Sequence, residues 1–209
     1  MWTRKAESRS DRLSRRAEQK LVSGAQSGDA TAARDLVEAH KDRLFAFVWR
    51  ILRDHHDAEE ICQDAFMRAF SSLETFRPEY RFSTWLFTIA YRLCLNSIRR
   101  KQAVTGELDF SAMGAEGGDT LEDLAQSEDA RRLKSQIWQA VDQLSVPQQA
   151  TVLLYYREGM GCQEIARTMQ IPVATVKSHL HRARARLRDL LSDVADDWSQ
   201  VRVLKEQAS

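Results

Sequence analysis

The chain of 209 residues has little of what strands and sharp bends require. Three prolines and eight glycines punctuate it, and no convincing run alternates apolar with polar residues. The expectation is an all-α fold. No stretch approaches the roughly 18 apolar residues of a membrane span. The Arg- and Ser-rich N-terminus lacks the apolar core of a secretory signal. Both absences point to a cytoplasmic protein without membrane insertion. Cys62, Cys94 and Cys162 are far apart, odd in number and without CxxC spacing. Neither a zinc site nor a disulfide framework is expected, and each cysteine reads as a small buried or half-buried helix residue. His55 and His56 are adjacent and diverge on a helix, so no metal role is assigned. No nucleophile, base or ligand set stands out, so neither an enzyme nor a cofactor is expected.

The net charge is only +1, but the charges are segregated. Residues 102–130 hold eight acids, no Lys or Arg, and Gly106, Gly114, Gly117 and Gly118. This reads as an acidic, flexible linker between two small helical domains, at 24–101 and 131–191. Residues 1–23 read as a basic arm, either a frayed helix or a weak phosphate-contacting segment. Residues 192–209 read as a tail.

The segment from Cys162 to Leu191 has the pattern of a helix-turn-helix. Ile165, Ala166 and Met169 supply a short first helix. Gln170, Ile171 and Pro172 leave room only for a sharp reversal. Val173, Val176, Leu180, Ala183, Leu187 and Leu190 then place an apolar stripe along a second helix. Between Ile171 and Arg188 that helix has five Lys or Arg, two His and no acid. Such a helix suits the DNA major groove. Upstream, Ser145 to Gln148 has capping-box spacing, and Gly159 and Gly161 can end the helix that follows.

The first domain shows three helical segments. One follows Asp29 as N-cap. A second runs from Asp57 to Leu73, with Asp57, Glu60 and Asp64 on one side. The third runs from Thr84 to Lys101, with Trp85, Ile89, Leu93 and Leu95 expected inward. Between the last two, FRPEYRF (76–82) interleaves aromatic and basic residues. On the residues alone, an autonomous operator-binding regulator and a protein that only occupies a partner both remain open.

Taken together, GDATAARDLVEAHKDRLFAFVWRILRDHHDAEEICQDAFMRAF, FSTWLFTIAYRLCLNSIRRK and LSVPQQATVLLYYREGMGCQEIARTMQIPVATVKSHLHRARARLR resemble the extracytoplasmic-function (ECF) group of bacterial sigma factors. The resemblance runs from about residue 24 to 191, in order. It implies a transcription initiation factor that binds core RNA polymerase, through the β′ clamp helices and the β subunit, and directs it to promoter DNA. Asp57, Glu60, Gln63, Asp64 and Phe66 would face the polymerase. Arg77, Tyr80, Arg81, Arg92, Asn96, Arg99 and Arg100 would hold the melted −10 strand. Lys177, Ser178, His181 and Arg182 would make base or near-base contacts in the −35 duplex, with Arg184 and Arg188 on phosphates. Many family members are also held by an anti-sigma factor, and no feature of this sequence identifies one.

Overall fold

The computed structural model describes residues 13–105 and 128–192, and every regular element among them is helical. The first domain comprises α1 (Arg15–Gln26), α2 (Ala30–Leu52), α3 (His55–Ser71), a 3-10 turn (Leu73–Thr75) and α4 (Phe82–Thr105). The second comprises α5 (Glu128–Asp142), α6 (Val146–Val152) running into a π-helical turn (Leu153–Arg157), α7 (Cys162–Met169) and α8 (Val173–Leu190). The acidic stretch 106–127, the N-terminal residues 1–12 and the tail from 193 lie outside the described residues.

Local chemistry sets the helix starts. The Asp29 carboxylate accepts the Thr31 and Ala32 N–H groups at 2.8 and 3.3 Å and opens α2, as the sequence predicts. Asp54 accepts the Asp57 N–H at 2.9 Å, so α3 begins at His55, two residues before the predicted start. Helix α1 occupies much of the segment read as a basic arm. Glu18 and Val22, four residues apart, are both buried there. A Cβ at Gly24 would lie 2.9 Å from the Ala32 Cβ, so glycine is what allows α1 and α2 to approach so closely.

In the second domain, Gln148 returns a 3.3 Å bond to the Ser145 N–H at the start of α6. Gly159 adopts φ +64 after the π-helical turn, a conformation other residues resist. The Gly161 N–H donates to Glu164 Oε2 at 2.9 Å and starts α7. Gln170 takes the left-handed conformation that closes α7, and α8 follows from Pro172. Val176, Leu180, Ala183 and Leu187 of the predicted stripe are buried, with Val173 and Leu190 at its edges.

The apolar interior is shared between the domains. One cluster runs from Val22, Leu36, Phe47, Ala65, Leu86, Phe87 and Cys94 into Leu154, Ile165, Met169 and Leu180. A smaller cluster of Ala140, Val141, Leu144, Val152, Ala183 and Leu187 belongs wholly to the second domain. Helix α4 packs on α2, α3 and α7. Its most buried residues are Phe82, Leu86, Phe87, Ala90 and Cys94; of the predicted stripe Leu93 is buried, while Trp85, Ile89 and Leu95 are half-buried. The phase of this helix is therefore rotated from the expected one, because it has neighbours on several sides.

Burial pushes the Cys62 thiol up to about 12 and raises that of Cys94 further, whereas Cys162 is half-exposed. Because only the thiolate reacts, maleimide labelling of the folded chain at neutral pH should stop at Cys162. Cys62 and Cys94 should react only on unfolding, read as mass additions; early labelling of Cys94 would contradict this packing.

Candidate nucleic-acid and polymerase interfaces

Helix α8 turns its apolar stripe inward and leaves Lys177, His181, Arg182, Arg186 and Arg188 exposed, with Ser178 half-buried at the margin. His179 is half-buried; burial, and then the charge of Arg182, hold its imidazole below the usual value. It therefore favours the neutral form. Arg184 is engaged within the domain. Its Nε donates to Tyr156 Oη at 2.8 Å, and its guanidinium lies 5.5 and 5.7 Å from the ring centres of Tyr155 and Tyr156. The exposed candidates thus form one basic face beginning near the helix N-terminus, where a recognition helix contacts base edges.

A second basic face lies on the first domain. Arg92, Asn96, Arg99 and Arg100 of α4 are all exposed and recur at helical spacing, so they share a solvent-facing side. The loop before α4 presents Arg77 and Tyr80, the latter 43% exposed. Phe76 and Phe82, the other aromatic residues of the loop segment, are buried. Phe82 packs within 6.5 Å of the rings of His40, Phe70, Phe76 and Trp85. Arg81 turns inward, its Nε 3.4 Å from Glu18 Oε2 and its Nη2 2.9 Å from the Leu13 carbonyl. Of the three loop residues predicted for strand binding, two face outward and one holds the loop.

The candidate polymerase face is on α3. Glu60 and Gln63 are exposed and Asp64 is half-buried. Arg68 Nε donates to Asp64 Oδ1 at 2.9 Å. Asp57 is drawn toward α4, where Lys101 Nζ lies 2.6 Å from its Oδ2. The hydrogen bond to Asp57, followed by the charges of Asp57 and Asp54, keeps the Lys101 ammonium above the usual lysine range. Phe66 is half-buried, its ring stacked 6.4 Å from Phe70. Met67, one residue on, is 69% exposed and is the large apolar side chain that this face offers to solvent. Sequence reasoning passed over Met67 because helix phase alone decides between the two.

The domains meet along a seam that the sequence does not reveal. Arg50 Nη1 lies 3.5 Å from Asp142 Oδ1, Arg53 pairs with the same carboxylate, and Arg43 pairs with the buried Glu158. Burial, then the charge of Arg50, lowers Arg53 to about 10, which leaves it charged at neutral pH. The Arg50 guanidinium sits 4.0 Å from the Trp138 ring centre and 4.9 Å from that of Trp49. Glu164 of α7 lies 3.5 Å from the Thr84 hydroxyl at the start of α4, and Arg167 lies 5.0 Å over the Tyr80 ring. The first helix of the helix-turn-helix therefore rests on the loop and helix that carry the second basic face.

Among the described residues, no helix is long and apolar enough to cross a membrane, and no group of three or more His, Cys, Asp or Glu could hold a metal ion.

Comparison with known proteins gives this arrangement a family. Residues 36–104 match the family model for sigma-70 region 2, and residues 134–187 match that for sigma-70 region 4. The chain is 34% identical over 182 residues to the ECF RNA polymerase sigma factor SigW of Bacillus subtilis, covering 84% of this chain and 97% of that protein. It is 30% identical over 178 residues to the RNA polymerase sigma-H factor of Pseudomonas aeruginosa, covering 82% and 92%. The fold is that of the sigma factor RpoE in its complex with the anti-sigma factor NepR from Bartonella quintana. The TM-score there is 0.63 at 22% identity, over 76% of this chain and 96% of that one. The fold is likewise that of CnrH in complex with the cytosolic domain of CnrY, with a TM-score of 0.61 at 23% identity, over 84% and 97%. Two matched regions in one chain, in order, and relatives aligned over nearly their whole length place this protein in the ECF group of the sigma-70 family of RNA polymerase sigma factors.

Proposed function

We propose that this chain binds core RNA polymerase and directs it to promoters, with α8 reading the −35 duplex and the first domain holding the melted −10 strand. The observation that carries this reading is the pair of exposed basic faces, one per domain, on a chain that belongs to a two-region sigma family. Lys177, Ser178, His181 and Arg182 specify; Arg184 and Arg188 position on phosphates. Arg77, Tyr80, Arg92, Asn96, Arg99 and Arg100 provide charge, a stacking surface and a base-edge partner for a single strand. Glu60, Gln63, Asp64 and Phe66, with Asp57 behind them, dock on the β′ clamp helices. An anti-sigma factor is a further partner under this reading, as NepR is for the structural relative RpoE.

Reading both elements requires the domains to part. The centres of −35 and −10 lie roughly 25 base pairs apart, or about 85 Å at about 3.4 Å per pair. A compact body of this size has a radius of gyration of only about 17 Å. Residues 106–127 can reach about 75 Å when extended, which together with the domains' own width spans the interval. The Arg167–Tyr80 contact must also break for a base to stack on the ring face that Arg167 occupies.

Purified core polymerase supplied with this chain should initiate from a subset of a randomised promoter library. Failure on every member would overturn the assignment, and tight operator binding without polymerase would favour an autonomous regulator. On the selected promoters, Lys177→Ala with Arg182→Ala should reduce initiation where the −35 sequence is intact, each base contact being worth about 1–3 kcal/mol. Templates with a scrambled −35 element should lose little. Asp142→Asn removes the charge facing Arg50 and Arg53 yet keeps an acceptor for Gln149, which lies 3.4 Å away. This variant should associate with core polymerase severalfold faster in stopped-flow measurements, and an unchanged or slower rate would show that the seam need not open.

A further inference from the structure

The loop that presents Arg77 and Tyr80 has almost no regular structure of its own after the 3-10 turn, yet its backbone is held at several points by one helix. Gln26 Nε2 donates to the Leu73 carbonyl at 2.9 Å, Gln19 Nε2 to the Pro78 carbonyl at 3.1 Å, and Arg15 Nη2 to the Glu79 carbonyl at 2.7 Å. Glu18 Oε1 accepts the Ser83 N–H at 3.2 Å, and its Oε2 faces Arg81 Nε at 3.4 Å. Arg15, Glu18, Gln19, Val22 and Gln26 recur at the spacing of one helix face. All belong to α1, which precedes the residues matched to sigma-70 region 2.

Glu18 is the unusual member. It is 1% exposed. Holding α1 against α2 needs only apolar side chains such as Val22, and a buried carboxylate there costs desolvation that must be offset by its partners. Those partners are Arg81 at the end of the loop, the Ser83 N–H in the first turn of α4, and His40 of α2, whose Nε2 lies 3.4 Å from Glu18 Oε1. An anionic acceptor at the N-terminus of α4 is favoured by the helix dipole and satisfies one of the first-turn N–H groups, which have no partner within the helix. Burial pushes the Glu18 carboxyl up, but the contacts with His40, Arg81 and Ser83 outweigh it and hold the group below its ordinary value. The carboxylate thus fixes the direction of α4 and the end of the loop relative to α1.

We propose that α1 is a positioning element for −10 strand reading, with Glu18 as the pin that sets the Arg77–Tyr80 loop and the start of α4. This rests on the assignment of that loop to the −10 strand. Glu18 touches no nucleic acid itself; it acts through the backbone of residues 81–83.

The test uses the full chain bound to core polymerase. The probes are single strands carrying a −10 sequence selected from the promoter library, and the same strands with single base substitutions. Loss of a buried, charge-assisted contact corresponds to about a tenfold effect. Glu18→Ala should therefore cut the discrimination between matched and substituted strands about tenfold. Its core-polymerase affinity should stay within about twofold of the parent, because α3 is untouched. Glu18→Gln keeps an acceptor for Ser83 but loses the charge facing Arg81, and should fall between the two. Gln19→Ala, a less buried change on the same helix face, should lower discrimination in the same direction without lowering the thermal midpoint, and decides the matter if Glu18→Ala does not fold. A role confined to stability would lower the melting temperature and core affinity together and leave discrimination intact, which would overturn the proposal. Arg77→Ala with Tyr80→Ala is the control on the underlying assignment. If that pair abolishes discrimination while the Glu18 and Gln19 variants retain it, α1 is not a positioning element. If all of them retain it, the loop does not read the strand and both readings fall.

Discussion

The burial of α4 is the constraint on which the rest of the molecule depends. A helix with apolar residues around most of its circumference must be covered on most of its sides. Here α2 and α3 cover two of them, α7 covers a third, and α1 touches its start. Phe82 is 1% exposed at the centre of an aromatic cluster that joins α2, α3, the loop and α4. Among the residues left to solvent is the narrow line of Arg92, Asn96, Arg99 and Arg100. The same packing that stabilises the domain therefore selects which polar residues of α4 can meet a nucleic-acid strand, and fixes the loop from which Arg77 and Tyr80 project.

The seam between the domains adds charged pairs to the shared apolar interior. These pairs combine the buried Arg50 and the half-buried Arg43 and Arg53 with Asp142 and Glu158. Pairs of this kind gain little net free energy, since desolvation offsets much of the Coulomb attraction. The apolar contacts of α7 with α4 add to this. The second domain has a smaller cluster of its own, Ala140, Val141, Leu144, Val152, Ala183 and Leu187, beside the interior it shares with the first. Parting the domains gives up the shared contacts together with the Arg167–Tyr80 contact. A closed form in which α7 rests on the loop that presents Tyr80 is compatible with a factor that acts only when a large partner holds its domains apart.

Much of this was legible in the sequence because it is local. The α8 stripe, the short α7, the Asp29 cap and the Gly159 stop follow from spacing and from residue-specific backbone preferences. The exposed line of Arg92, Asn96, Arg99 and Arg100 was also visible, since charged residues at helical spacing default to solvent. The features that escaped are those set by contacts far apart in sequence. The phase of α4 was misjudged because Trp85 and Ile89 are as apolar as Leu86 and Ala90, and only the position of α7 distinguishes them. Arg81 reads as a DNA-binding cation until Glu18, 63 residues earlier, is seen beside it. The seam pairs residues 80 or more positions apart.

The central claim is that one chain reads two separated promoter elements with two domains that are packed together when free. It is tested most directly by a distance across the seam. Labels at Glu74→Cys and Arg186→Cys, in a chain whose reactive Cys162 is replaced by Ser, report that distance by pulsed electron resonance or energy transfer. The account predicts a single short distance in the free chain and a lengthening by tens of ångströms in the promoter-bound polymerase complex, toward the roughly 85 Å that separates the two elements. An initiating complex that retained the short distance of the free chain would contradict it.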